Sequence, residues 1–186
     1  MKLALIGSHG VGKTTLVYGL AARLKRRDVN LEVLVEVARR CPLPLNEDTN
    51  LAAQSWILHT QIADETYAEQ RADVVLCDRS VLDNYVYLLL ASGAQPHLEP
   101  LIAESLEGYD LLVHVPILEG SLAQQDGVRS VDERFRHAVE QRLDDEIAAR
   151  GLDVLHLDAA SRDGWLDDLE AASLRSIRHP QLELLP

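Results

Sequence analysis

Eight residues near the amino terminus carry the most specific chemistry in the chain. Gly7-Ser8-His9-Gly10-Val11-Gly12-Lys13-Thr14 fits GxxxxGK[ST], a spacing in which glycines let successive backbone N–H groups turn toward phosphate oxygens. Lys13 then reaches the β- and γ-phosphates of a nucleotide, the Thr14 hydroxyl suits Mg2+, and Thr15 follows at the α-phosphate. His9, inside the loop, either contacts phosphate or faces solvent. The expected nucleotide-binding residues are thus Gly7, His9, Gly10, Val11, Gly12, Lys13, Thr14 and Thr15. GxGxxG does not occur, so the dinucleotide fingerprint is excluded.

A second set is Asp78-Arg79-Ser80, which directly follows the apolar run Val74–Cys77. A carboxylate at the carboxyl end of a strand, beside a phosphate loop, holds Mg2+ through water or accepts the proton of an attacking hydroxyl. An arginine beside it grips an acceptor or a transferred phosphoryl group bidentately.

Such groups need a scaffold that brings strand ends together. Short apolar runs at Lys2–Ile6, Leu31–Val35, Asp73–Cys77, Asp110–Val115 and Asp153–Leu157 have the length and Val, Leu and Ile content of buried strands. Between and after them, Gly12–Arg27, Leu51–Arg71, Val81–Ala91 with His97–Glu107, Arg134–Arg150 and Trp165–Ile177 have helical periodicity or length. Strands joined by crossover helices run parallel and are covered on both faces, which gives a doubly wound α/β sandwich. Asn50 is placed to cap the long second helix, and Pro42 and Pro44 make Cys41–Thr49 a loop.

Composition narrows the classes. At 186 residues, with no repeat and no linker, the chain reads as a single domain. Thirty acidic against 18 basic residues give a formal charge of −12, which disfavours a surface built to neutralise duplex phosphates. The two cysteines, Cys41 and Cys77, form no CxxC and read as reduced thiols, Cys77 buried. The apolar start at Leu3 to Ile6 is too short for a signal peptide or a span, so a cytoplasmic location is expected, with no membrane. No lysine begins KxD and no glycine follows an Asp by three positions, which sets aside the GTPases. ABC-type and AAA+ ATPases would bring a signature sequence or a second helical domain, for which this length, with no LSGGQ-like segment, leaves little room. A small-molecule kinase fits best.

The chain resembles the nucleoside and nucleotide kinases of the phosphate-loop (P-loop) superfamily, thymidylate and deoxynucleoside kinases among them, and more closely the nicotinamide-riboside-kinase-like ATPases of the AAA_28 type. GSHGVGKTT at 7–15, Glu36 with Arg39, DRSVLDNYVY at 78–87 and DGVRSVDERFR at 126–136 carry the resemblance. It implies a three-layer P-loop NTPase sandwich with a five-stranded parallel sheet in the order 2-3-1-4-5, helices on both faces, and a small lid at about residues 120–142. ATP and Mg2+ are the implied cofactors and a nucleoside-like small molecule the implied acceptor.

By the same resemblance Glu36 is a candidate general base or acceptor-recognition group, in competition with Asp78, and Arg39 or Arg40 a ligand for acceptor phosphate. If Asp78 holds the hydrated Mg2+, Glu36 takes the proton; if Glu36 only hydrogen-bonds the acceptor, Asp78 is the base. Lid charge falls to Arg129, Arg134, Arg136 and Arg142, with Arg129 and Arg134 expected at the phosphates. Gln54, Trp56, His59 and Gln61, with Tyr85 and Tyr87, could read or stack on the acceptor ring; Gln54 and Tyr85 are the expected contacts. Asp158 to Asp163 should form the adenine-side loop. Two other functions remain open: a polynucleotide 5′-hydroxyl kinase, and an ATP-dependent switch with a protein partner. The apolar tail His179–Pro186 could dock on the domain or on another subunit, so a homodimer is also open.

Overall fold

A computed structural model describes residues 1–45, 49–118 and 133–177. Two strands, β1 (Lys2–Ile6) and β3 (Val74–Asp78), are buried at every position, as expected of strands covered on both faces. Both lie inside a five-stranded parallel sheet with β2 (Leu31–Leu34), β4 (Leu111–His114) and β5 (Val154–His156), in the order β2-β3-β1-β4-β5. The sheet order implied by the resemblance is therefore the observed one. The edge strands β2 and β5 are less buried than the strands they flank.

Alternation along the strands divides the core into two layers. Ala4, Ile6, Val75 and Cys77 pack with α2 (Leu51–Glu69), α3 (Val81–Ser92), α4 (Glu99–Glu107) and α5 (Glu133–Arg150). Leu3, Leu5, Val74, Leu76 and Val113 pack with α1 (Lys13–Lys25) and α6 (Trp165–Ser176). Cys77 is buried and both cysteines are free.

Local chemistry sets the helix starts. The Asn50 side chain accepts from the Ala53 N–H at 3.1 Å and opens α2. Ser80 and Asp83 form a reciprocal capping box at the start of α3. By contrast, α1 starts after Gly12, at φ 98°, with no side-chain cap and no acidic residue in its first turn. Its first N–H groups are the ones the phosphate loop turns toward an anion.

Two boundaries differ from expectation. The second strand stops at Leu34, and Glu36 opens a one-turn 3-10 helix, Val37–Arg40, instead of closing the strand. Asp158 opens a second 3-10 helix, Ala159–Gly164, where the sequence suggested a loop. Among the described residues no helix is long and apolar enough to cross a membrane. Residues 46–48 of the Cys41–Thr49 loop, most of the lid segment, Arg129 and the tail from His179 lie outside the described residues.

Leu20 lies on the buried face of α1 at 0% exposure, whereas Tyr18 is 53% exposed. Leu20→Ala should destabilise the fold by about 2–5 kcal/mol, and Tyr18→Ser by less than about 0.5 kcal/mol. Urea unfolding checks both, and equal midpoints for the two variants would contradict the packing of α1.

Candidate active site

The loop between β1 and α1 closes tightly against β4's end. A Cβ at Gly7, whose φ is 136°, would sit 2.6 Å from the Val115 carbonyl oxygen, so only glycine fits. Lys13 is folded back into the loop: its Nζ donates to the Gly7 and Ser8 carbonyls, each at 2.7 Å. Burial lowers its pKa from 10.5 to about 8; Arg79 pushes the same way, and Asp83, Asp78 and Glu36 oppose both. Two other helices hold the loop from beneath. Asp83 of α3 accepts from the Gly7 N–H at 3.0 Å, and Glu140 of α5 accepts from the Ser8 N–H at 3.2 Å. Glu140 in turn meets His114 Nε2 at 2.6 Å.

Asp78 ends β3 in register with Leu5 of β1, and so arrives beside the loop. Its Oδ2 accepts from Thr14 Oγ1 at 2.5 Å. A hydroxyl and a carboxylate in contact at a phosphate loop are hard oxygen donors of the kind Mg2+ takes.

Arg79, the next residue, is 5% exposed. Its Nε donates to Glu36 Oε1 at 2.9 Å, while Arg39 Nε holds Glu36 Oε2 at 3.1 Å. The guanidinium also lies 4.8 Å over the Tyr87 ring and reaches the Tyr87 hydroxyl through Nη2 at 3.4 Å. Burial pulls the Arg79 pKa down, but Tyr87, Glu36 and Asp83 outweigh it and leave the group well above its ordinary value. It is a permanent buried cation. Nη1 makes no hydrogen bond among the described residues and stands 4.0 Å from Asp83 Oδ1.

Tyr87 extends this set to the loop, its hydroxyl 3.1 Å from His9 Nδ1. Phe135 of α5 packs on both rings, with centroids 6.1 Å from His9 and 6.0 Å from Tyr87. His9 therefore faces an aromatic wall and is 2% exposed, not solvent-facing.

On the opposite side of α1's start is a cavity of about 280 Å³. Val11, Gly12 and Thr15 line it from the loop, and Arg162, Asp163 and Trp165 from the segment after β5. Of the Asp158–Asp163 stretch, Arg162 and Asp163 thus stand beside the start of α1. Trp165 Nε1 donates to the Asp158 carbonyl at 2.7 Å and pins that stretch.

The structure gathers Lys13, Thr14, Asp78, Arg79, Glu36, Arg39 and His9 on one side of the molecule. Tyr85 is not part of this group. It is buried among the helices, with its hydroxyl on Glu99 of α4. Residues two apart on a helix point about 200° away from each other, so only one of Tyr85 and Tyr87 could face the loop, and it is Tyr87. Gln54, 6% exposed, donates through Nε2 to Thr49 Oγ1 at 2.8 Å beside the Cys41–Thr49 loop. Gln61 points to Glu65 and the Arg79 carbonyl. On α5, Arg134 is exposed, Arg136 is buried, and Arg142 pairs with Glu146 at 2.8 Å.

Sequence reasoning missed Asp83, although Ser80-x-x-Asp83 is a capping signature that could have marked it. Glu140 and His114 carried no local signal: the register of α5 brings Glu140 to the loop, and the end of β4 brings His114 to Glu140.

With the Lys13 ammonium titrating near 8 in the free protein, phosphates that favour its charged form must raise that pKa on binding. Nucleotide binding should then take up a proton, and affinity should weaken as pH rises above about 8, by up to roughly tenfold per unit. Calorimetry of ATP binding in buffers of different ionisation enthalpy measures the uptake. No proton uptake between pH 7.5 and 9 would show that burial does not lower the Lys13 ammonium into that range in the free protein.

Comparison with known proteins places this geometry. The solved structure "Crystal structure of NadR protein in complex with NR" aligns with a TM-score of 0.73 at 22% identity, over 96% of this chain and 53% of that one. Deoxyadenosine kinase from M. mycoides, solved with dCMP and a flexible dCDP, aligns at 0.64 and 14% identity, over 95% of this chain and 100% of that one. Both likenesses show the P-loop kinase-type fold. A curated NADH oxidase of Methanocaldococcus jannaschii is 26% identical over 192 residues, and the chain spans only 40% of its length. The family described as "AAA domain", AAA_28, matches residues 2–163. After β5 the described residues hold only a 3-10 helix and α6, so they contain no second helical domain of the kind AAA+ ATPases would bring. With most of its length matched, sheet order and phosphate loop included, the chain belongs to the AAA_28 family.

Proposed function

We propose that this protein is an ATP- and Mg2+-dependent kinase that moves the γ-phosphoryl of ATP to a hydroxyl or phosphate of a nucleoside-like small molecule. The observation that carries the reading is the side-by-side arrangement of two polar sets at the strand ends: Thr14 with Asp78 at the loop, and Glu36 with Arg79 and Arg39 beyond it. Nucleotide binding alone needs the first set and has no use for a buried carboxylate held by two arginines. The solved relatives point to the same acceptor class, since one is held with NR and the other with dCMP.

In this reading Lys13 leaves the Gly7 and Ser8 carbonyls for phosphate oxygens, and the N–H groups at the start of α1 hold the same phosphates. Thr14 and Asp78 are the residues that would hold Mg2+, which when bound offsets charge on the β- and γ-phosphate oxygens. Asp78, engaged with Thr14, serves the metal side, and Glu36 serves the acceptor. Glu36 accepts the acceptor's proton as the acceptor oxygen bonds the γ-phosphorus and the bond from γ-phosphorus to the β–γ bridging oxygen breaks. For an acceptor phosphate no proton transfer is needed, and Arg79 and Arg39 hold it. Arg79 Nη1, without a hydrogen bond in the free site, is the donor available to the transferred group. Arg129 and Arg134 complete the proposal as lid cations. The enzyme would work in the cytoplasm as one kinase-like domain.

The test is incubation of the protein with MgATP and a panel of nicotinamide riboside, deoxynucleosides, nucleoside monophosphates and 5′-hydroxyl oligonucleotides, with products read by mass spectrometry. One phosphorylated small molecule is expected. Lys13→Ala should abolish its formation with the fold intact, and Glu36→Gln should lower kcat by about 10²–10⁴-fold for a hydroxyl acceptor. A phosphorylated oligonucleotide would instead favour the polynucleotide kinase. ADP with no phosphorylated product would move the reading to the nucleotide switch.

A further inference from the structure

Among the described residues only two non-glycine residues have positive φ, Asp28 at 58° and Arg79 at 99°. Asp28 lies in the exposed turn after α1, where short polar residues adopt this region readily. Arg79 is different: it carries a buried cation at the site, and its conformation is disfavoured for any residue with a Cβ.

The backbone around it is held group by group. The Ser80 N–H donates to Asp83 Oδ2 at 2.9 Å, within the capping box. The Arg79 carbonyl accepts from Gln61 Nε2 at 3.3 Å, and the Val81 N–H donates to the Tyr109 hydroxyl at 2.8 Å. Gln61 and Tyr109 come from different elements, yet both donate to one oxygen, Glu65 Oε1, at 2.7 and 2.6 Å. The other oxygen, Glu65 Oε2, is 3.2 Å from Lys2 Nζ, which also meets Glu69 at 3.1 Å and lies 4.7 Å over the Tyr109 ring. Glu65 and Gln61 are 2% and 1% exposed.

A buried network of this kind is a poor way to gain stability, because apolar side chains of similar volume often do as well or better. Burial also raises the Glu65 pKa above its ordinary value, a cost that Tyr109, Gln61 and Lys2 reduce. Such a network does supply direction: fixed donors and acceptors that one backbone path satisfies and others leave unpaired.

We propose that Glu65, anchored by Lys2 and acting through Gln61 and Tyr109, is a positioning residue that holds the Arg79–Val81 turn in its left-handed form and so aims the Arg79 guanidinium between Glu36 and Asp83. None of these four residues joins the contacts that line the phosphate loop. The purpose of the aim rests on the kinase reading above, whereas the positioning itself does not.

The test has two arms. In the first, the Arg79 Nε–H, bonded to Glu36, is followed by NMR in the full chain, its signal identified by its loss in Arg79→Lys. Tyr109→Phe keeps the ring and removes the hydroxyl, and should speed solvent exchange of that N–H by about tenfold. Ser173→Ala removes a buried hydroxyl from α6, on the other face of the sheet, and should leave the exchange unchanged. No change in Tyr109→Phe, or an equal change in both variants, overturns the proposal.

In the second arm, Tyr109→Phe and Glu65→Gln are assayed with MgATP and the acceptor panel above. Each should lower kcat about tenfold at unaltered KM for ATP, and unaltered kcat overturns the proposal. If Arg79→Lys transfers phosphoryl at the wild-type rate, or if no panel member is phosphorylated, the kinase reading of Arg79 falls and the exchange arm alone decides the positioning.

Discussion

A guanidinium taken out of water at the end of β3 is the constraint to which the polar structure around it answers. Arg79 cannot shed its proton, so burial must be met by partners. They come from three directions: Glu36 from the turn after β2, Asp83 from the first turn of α3, and the face and hydroxyl of Tyr87 one helical turn later. Each partner then does a second task. Glu36 gathers Arg39, Asp83 caps α3 and holds the Gly7 N–H, and Tyr87 meets His9. The phosphate loop and the Glu36–Arg39 pair are thereby joined through one buried charge.

That charge also shapes the loop's own lysine. Lys13 and Arg79 are two buried cations close enough for Arg79 to help lower the lysine's pKa, and nearby carboxylates offset only part of the penalty. In a chain of net charge −12, Lys13 and Arg79 place two buried cations beside the phosphate loop. A phosphate that meets Lys13 favours its charged form, so binding and protonation of the lysine reinforce each other. Lys13's bonds to the Gly7 and Ser8 carbonyls keep the loop formed until a phosphate takes their place.

What could be read from sequence follows the range of the interaction. The phosphate loop, the strands, the Asn50 cap and the Asp78-Arg79 pair are local patterns, and all lie where the sequence put them. Glu36 stands against Arg79 but not at a strand's end, because the strand ends two residues earlier and a 3-10 turn presents the carboxylate. Composition ranks Tyr85 and Tyr87 equally, and only the rotational phase of α3 separates them. The same limit explains Gln61, which sequence offers as a ring reader. Its partners, Glu65 apart, are a backbone carbonyl and, through that carboxylate, Tyr109 and Lys2, so its role exists only once the sheet has formed.

The contacts of α5 add a mechanical consequence. Glu140 holds the Ser8 N–H and Phe135 packs on His9, so a helix distant in sequence touches the phosphate loop by one polar and one aromatic contact. His114 at the end of β4 meets the same Glu140 carboxylate, and His156 of β5 lies 3.3 Å from His114, Nδ1 to Nδ1. The helix is thus referenced to the sheet and to the loop at once. Any ligand that shifts the loop must change its contacts with α5, and linkage makes the relation reciprocal: a change in α5 must alter the affinity of the loop. Because Arg134 and Arg136 lie in the first turn of α5, a shift of the loop and the placement of these arginines are parts of one equilibrium.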